Sequence, residues 1–376
     1  MAVYNTIEHD GRVQRSAEAL SEEYDVTVTA IGSNARFEPD GYSVVRARLP
    51  ALGRLKGIRH VLFWLRLCVL AVRLRPAVVY AHDFFVAWPG AMAARLVRAR
   101  FVYDSHELIV PGAYVPEPRS LRFFYVREKQ VIARAACVIA ANANRAELMR
   151  EHYGLAKTPV AVRNIPDRPR SVIDDAECRR QYPELFDGGV DAVRLVYQGD
   201  MYLLRGIGAF VRAMKHLDDV YRLVLVGDGP DRQAIRDIAL RDGVAKRISV
   251  LGRIPHEHLH DVLRQCDMGI VTYPAEGLNN VYCAPNKTYE YAHAGLPMIS
   301  TSQPPLRDLF SAYDVGVLVD HECPDSEELS KSIADAAERT RKNHQLYEAG
   351  LREFLGSVNW EEEARKLVRA VVKTCE

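Results

Sequence analysis

The sequence has no run of about 18 uncharged apolar residues, so no membrane-crossing helix is expected. It has no Cys-x-x-Cys pair. Its seven cysteines, Cys68, Cys137, Cys178, Cys266, Cys283, Cys323 and Cys375, are scattered and odd in number. That argues against a zinc ribbon or a disulfide framework and points to reduced thiols and a cytoplasmic setting. No cationic leader precedes the first apolar run, so a signal peptide is not expected. Neither charge dominates: 50 Lys and Arg face 49 Asp and Glu, a net of +1. A nucleic-acid partner held by overall positive charge is therefore not expected. A Ser–His–Asp order, a nucleophile elbow, a Walker loop and an Asp-x-Asp metal–diphosphate motif are also missing. The histidine-rich stretch at His256, His258 and His260 puts only His256 and His260 on one helix face, with no acid in a zincin arrangement. It reads as a solvated helix start, and no metal or resident cofactor is expected.

What the chain does have is alternation. Its 376 residues are 48% hydrophobic and 26% charged, enough for two cores. Short β-branched runs alternate with helical patterns in two series. The first covers Met1–Asn5, Tyr24–Ile31, Gly41–Leu49, Ala77–His82, Phe101–His106, Cys137–Ala141 and Pro159–Arg163. The second covers Arg194–Gln198, Tyr221–Val226, Ile248–Leu251, Met268–Thr272, Met298–Ser300 and Val315–Val319. This is the pattern of an α/β protein with two doubly wound parallel sheets. A Pro- and Arg-rich change of character over Asn164–Gly189 marks the linker, which gives domains over 1–170 and 171–357 and a helical tail over 358–376.

The most informative stretch is Met268–Ser302. It reads as a strand, an aperiodic loop over Ala275–Pro285, a helix over Lys287–Ala294 capped by Asn286, a turn at Gly295, and another strand. The free amides of that helix start suit a phosphate. Glu290, one turn in, would meet sugar hydroxyls just beyond it. Pro50–Arg75 is unusual in another way. Between Gly41 and His82 there are eight bases and no acid. Ile58, Val61, Leu62, Leu65, Val69 and Val72 share one helix face. The segment is either a helix covering the sheet with a basic solvated side, or a peripheral contact with an anionic membrane surface.

Ala284–Ser300, APNKTYEYAHAGLPMIS, resembles the donor-binding segment of the retaining GT-B glycosyltransferases of family 4. The resemblance implies two Rossmann-like domains facing across a cleft, with the tail helix, NWEEEARKLVRAVV, returning to the first domain. It implies that Glu290 holds the ribose of a nucleotide-diphosphate sugar. The family's second acid falls on Tyr282 and is not carried over; Glu276 is the nearest acid. In YQGDMYLLRG, Gly199 ends a strand and Arg205 supplies a cation for the diphosphate, whereas Asp200 stands where a second cation is usual. In VLGRIP, Arg253 and Ile254 are placed near the nucleotide. Asn280, Val281, Tyr282 and Asn286 line the donor loop and helix start. His106 is expected beside the transferred sugar, with Asp83 and Glu107 as weaker acceptor contacts. Gly11 and Arg12, at the first strand–helix turn, either approach a donor phosphate or form an ordinary turn capped by Asp10. VGDGP at Val226–Pro230 is read as structural. The activity so implied is metal-independent, retaining transfer to a carbohydrate, lipid-linked or small-molecule acceptor. A nucleotide-sugar 2-epimerase and a non-catalytic nucleotide-sugar-binding subunit are the alternatives.

Overall fold

The computed structural model describes residues 1–32, 37–47, 49, 56–320 and 327–375. Arg48, Arg54, Pro50 and Cys323 lie outside the described residues. The chain divides into two compact units, Met1–Asn164 with Trp360–Glu376, and Ile165–Asn359.

Unit 1 is a seven-stranded, fully parallel sheet of order β3-β2-β1-β4-β5-β6-β7. The strands are β1 (Ala2–Val3), β2 (Thr27–Ile31), β3 (Ser43–Ala47), β4 (Val78–His82), β5 (Arg100–Ser105), β6 (Cys137–Ala140) and β7 (Val160–Ala161). The C-terminal helix Trp360–Val372 packs into this unit, placing Leu367 and Val371 in its core. Glu363, fully buried, fixes it there: its carboxylate accepts from the Arg163 backbone N–H at 3.0 Å and from the Arg163 guanidinium at 2.9 and 2.7 Å.

Unit 2 is a six-stranded parallel sheet of order β10-β9-β8-β11-β12-β13. Its strands are β8 (Val193–Gln198), β9 (Tyr221–Val226), β10 (Ile248–Gly252), β11 (Met268–Val271), β12 (Met298–Thr301) and β13 (Gly316–Val319). β8, β11 and β12 are buried along their whole length, as strands covered on both faces must be. Two elements depart from the sequence reading. The expected linker contains a helix, Asp175–Gln181, and a further helix, His344–Ser357, was not anticipated.

Both sheets reverse direction beside their first strand, between β1 and β4 in unit 1 and between β8 and β11 in unit 2. Ligands of such sheets bind outside the carboxyl ends of the strands at that reversal.

Candidate active site

In unit 2 the reversal point is shaped by close backbone approaches. Gly227 (φ +128°) follows β9, and a Cβ there would stand 2.1 Å from the Gly199 carbonyl oxygen. VGDGP is thus a packing device, as its structural reading expects. Gly269 in β11 leaves room for the Tyr291 ring, which a Cβ would meet at 2.4 Å. The Tyr291 hydroxyl accepts from the Gln198 N–H at 3.1 Å and lies 3.2 Å from the Val196 and Ile270 carbonyls. One buried phenol therefore pins the helix Lys287–His293 to the ends of β8 and β11.

That helix brings Glu290 to the site. Its half-buried carboxylate accepts from Gln198 Nε2. Burial pushes the carboxyl up, against the opposing pull of Gln198, His256 and Lys287. Lys287 stands one turn earlier. It is 8% exposed, and its Nζ has no hydrogen-bond partner among the described residues. It lies 4.5 Å from the Tyr197 ring centroid and 5.7 Å from that of Tyr273. Arg205, half-buried after β8, sits 5.9 Å from the same Tyr273 ring, and no ion pair forms at its guanidinium among the described residues. Two cations, two aromatic faces and one carboxylate thus share the end of β8 and β11. A dianionic group with hydroxyls beyond it has complementary chemistry.

The other expected donor residues are placed less uniformly. Asn286 was expected to cap the helix with its side chain; instead it takes helical angles and makes no side-chain cap bond. The expected aperiodic loop contains one helical turn, Leu278–Val281, which carries Asn280 and Val281, with Tyr282 just after it. Asn280 Nδ2 donates to the Glu276 carbonyl at 2.8 Å, and the Glu276 side chain is exposed. Arg253 is exposed and Ile254 half-buried after edge strand β10. Gly199 (φ +131°) occupies the turn where a Cβ would lie 3.6 Å from Lys287 Nζ. The sequence reading passed over Lys287, Gln198 and the two tyrosines.

In unit 1 the reversal point is organised around an internal ion pair. Arg12 was expected to offer charge to a phosphate. It is instead 5% exposed, with its guanidinium on Asp104 at 2.7 and 3.2 Å and on the Val162 carbonyl at 2.8 Å. The open alternative for Gly11 resolves toward the capped turn: Asp10 accepts from the Val13 N–H at 3.2 Å, and a Gly11 Cβ would meet the Arg15 guanidinium at 3.0 Å. Tyr80 donates to Asp104 at 2.9 Å. Burial pushes the Asp104 carboxyl up, but Arg12 and His82 outweigh it and hold it well below the usual range.

His106 lies at the end of β5 with Nε2 3.1 Å from His82 Nδ1. Burial pushes His106 down to about 4 and lowers His82 as well, so both rings are neutral at neutral pH. His82, Asp104 and His106 bring cation-ligating atoms together. Both Asp104 oxygens are already occupied by Arg12 and Tyr80, and a metal there would face a guanidinium. Asp83 adopts φ +69° and caps the following helix, accepting from the Phe84 N–H at 2.8 Å; burial pushes its carboxyl well up. Glu107 is exposed and accepts from the Tyr114 hydroxyl.

Two doubly wound parallel-sheet units, each with polar residues at its reversal point, define the class as a GT-B-type α/β protein. The family model described as "Glycosyl transferases group 1" matches residues 191–353, and the "Glycosyl transferase 4-like domain" matches residues 11–164. A curated relative, D-inositol 3-phosphate glycosyltransferase of Xylanimonas cellulosilytica, is 26% identical over 309 residues, covering 77% of this chain and 70% of that one. Among solved structures, sucrose-phosphate synthase of Thermosynechococcus elongatus superposes with a TM-score of 0.73 at 17% identity, covering 96% of this chain and 92% of that one. HepE of Anabaena, solved with UDP-glucose, gives a TM-score of 0.74 at 15% identity, covering 99% and 98%. The chain belongs to the family 4-like GT-B glycosyltransferases, and it is an enzyme of that class.

Proposed function

We propose that this glycosyltransferase moves a sugar, with retention and without a metal ion, from a nucleotide-diphosphate sugar to a carbohydrate, lipid-linked or small-molecule acceptor. The observation that carries the reading is the presence of Arg205, a cation without an ion pair among the described residues, and the half-buried carboxylate of Glu290 at one sheet reversal. Arg205 suits the oxygens of a leaving diphosphate, and its planar fork can bind two of them at once. Glu290 suits the pentose hydroxyls, exchanging its bond from Gln198 for bonds from the sugar. As the anomeric bond breaks, negative charge grows on the diphosphate, and fixed cations stabilise that state without reorganising. In unit 1 the neutral His106 offers a hydrogen-bonding nitrogen to a sugar hydroxyl. The UDP-glucose bound by the Anabaena relative makes uridine nucleotides the first donors to try.

The test is a donor panel with and without acceptors, in wild type and Glu290→Ala, with chelator present and product anomers read by NMR. Transfer that needs an acceptor, keeps the donor's anomeric configuration and survives chelator supports the proposal. Donor isomerisation would support an epimerase, and saturable binding without turnover a binding subunit.

A peripheral contact with an anionic membrane is favoured by the helix Lys56–Leu74. It covers the sheet with Phe63, Leu67 and Ala71, while Ile58, Val61, Leu65, Val69 and Val72 remain 46 to 59% exposed. Arg59, Arg66 and Arg73 run along one flank, two turns apart, and exposed Phe123 stacks on Trp64 beside them. An apolar stripe edged by cations fits a bilayer surface of anionic lipid. Sedimentation with anionic liposomes should fall when these three arginines are changed to Gln; equal sedimentation would refute the contact.

A further inference from the structure

Lys287 is unlike any other lysine described in this protein. A buried ammonium normally has a carboxylate or several hydrogen bonds, because stripping its water is costly. Lys287 has neither among the described residues, although it lies on the first turn of a helix. Its Nζ is held between the Tyr197 and Tyr273 rings, and Tyr273 also faces Arg205. The charged and titratable groups around it are Arg205 and Asp200 from the segment after β8, Glu290 from its own helix, and Cys283 from the loop before it. None of them bonds to Nζ. The one acid expected to disturb a phosphate site, Asp200, has its carbonyl bonded by the Tyr197 hydroxyl at 2.9 Å.

We infer that Lys287 is the second cation of the diphosphate subsite, without a hydrogen-bond partner among the described residues so that the donor's phosphate oxygens become its counter-ion. It thereby supplies the charge that Asp200 fails to supply. The inference rests on the donor reading above. Two rings flank the amine, and toward the exposed turn after β8 Gly199 puts no side chain over it, since a Cβ there would lie 3.6 Å from Nζ. Burial and the neighbouring Arg205 push Lys287 down to about 7. A diphosphate raises it again, so above neutral pH binding draws one proton from solvent onto Nζ. A nucleoside diphosphate such as UDP is fully ionised there, its last phosphate proton leaving near pH 6, whereas inorganic pyrophosphate still carries a proton. The uptake is therefore read with UDP, where it belongs to the protein, and pyrophosphate reads affinity alone. Affinity should therefore fall as pH rises above about 7.

The test is calorimetric titration of the whole protein with inorganic pyrophosphate and with UDP, at about pH 6 and about pH 8.5, in buffers of different ionisation heat. Wild type should take up close to one proton per UDP bound at the higher pH. Lys287→Met should lose about 10- to 100-fold in affinity for both probes and take up none, while melting no lower than wild type, since it removes an unpaired buried cation. Lys287→Arg should bind without proton uptake. If Lys287→Met binds like wild type, or wild type takes up no proton, the role assigned to Lys287 is wrong and the donor reading stands. If wild type binds neither probe, the donor reading falls and takes this inference with it.

Discussion

The two units share a sheet plan and treat charge at the reversal point in opposite ways. In unit 1, Arg12 is closed onto Asp104, Tyr80 completes the carboxylate's bonds, and the two histidines are neutral. In unit 2, Arg205 and Lys287 face aromatic rings, and neither makes an ion pair among the described residues. A cation neutralised inside the fold gives an anion little to bind. A cation left uncompensated weakens the fold slightly and gives an anion a great deal to bind. On the proposed reading, the contrast separates a unit whose buried charge serves stability from one whose buried charge serves a ligand.

Three substitutions would sharpen or break that contrast. The largest effect belongs to Asp104→Asn, which strands a buried guanidinium. Denaturant unfolding should show a loss of about 3–5 kcal/mol, with pyrophosphate binding in unit 2 intact. The pH dependence has a definite sign. Asp104 is held below its unfolded value, so its contribution is complete above about pH 4 and fades as pH falls further; the variant should lack that acid-side loss. Second comes Arg205→Met, expected to weaken nucleoside diphosphate binding by about 1.5–3 kcal/mol while shifting stability by less than about 0.5 kcal/mol. A large stability loss with unchanged binding would erase the distinction between the units. The smallest effect is that of Glu290→Gln. It should cost about tenfold in affinity for a nucleoside diphosphate and nothing for inorganic pyrophosphate, which lacks the pentose.

The fold was legible because its signals are local. β-branched runs end at Gly199, Gly227 and Gly252, and Gly295 takes the left-handed turn expected after its helix (φ +76°). The helix His344–Ser357 was missed although its signal was there: buried Tyr347, Leu351 and Phe354 recur at helical spacing. The site was legible only in part. Strand ends can be found from sequence, but which charges meet across them cannot. Arg12 and Asp104 are 92 residues apart, as are Gln198 and Glu290. Arg12 looked free because its partner sits on β5, and Lys287 was passed over because the rings that enclose it come from β8 and the segment after β11. Asn286 had a capping residue's identity, but its backbone had already entered the helix.

The central claim is that a sugar-nucleotide's diphosphate lies on Arg205 and Lys287 with its pentose on Glu290. A crystal structure with the tightest-binding nucleoside diphosphate tests it most directly. The account predicts phosphate oxygens within hydrogen-bond reach of both cations and Glu290 bonded to ribose hydroxyls. A nucleotide bound elsewhere, with Glu290 still held by Gln198 and Lys287 still without a partner, would contradict it.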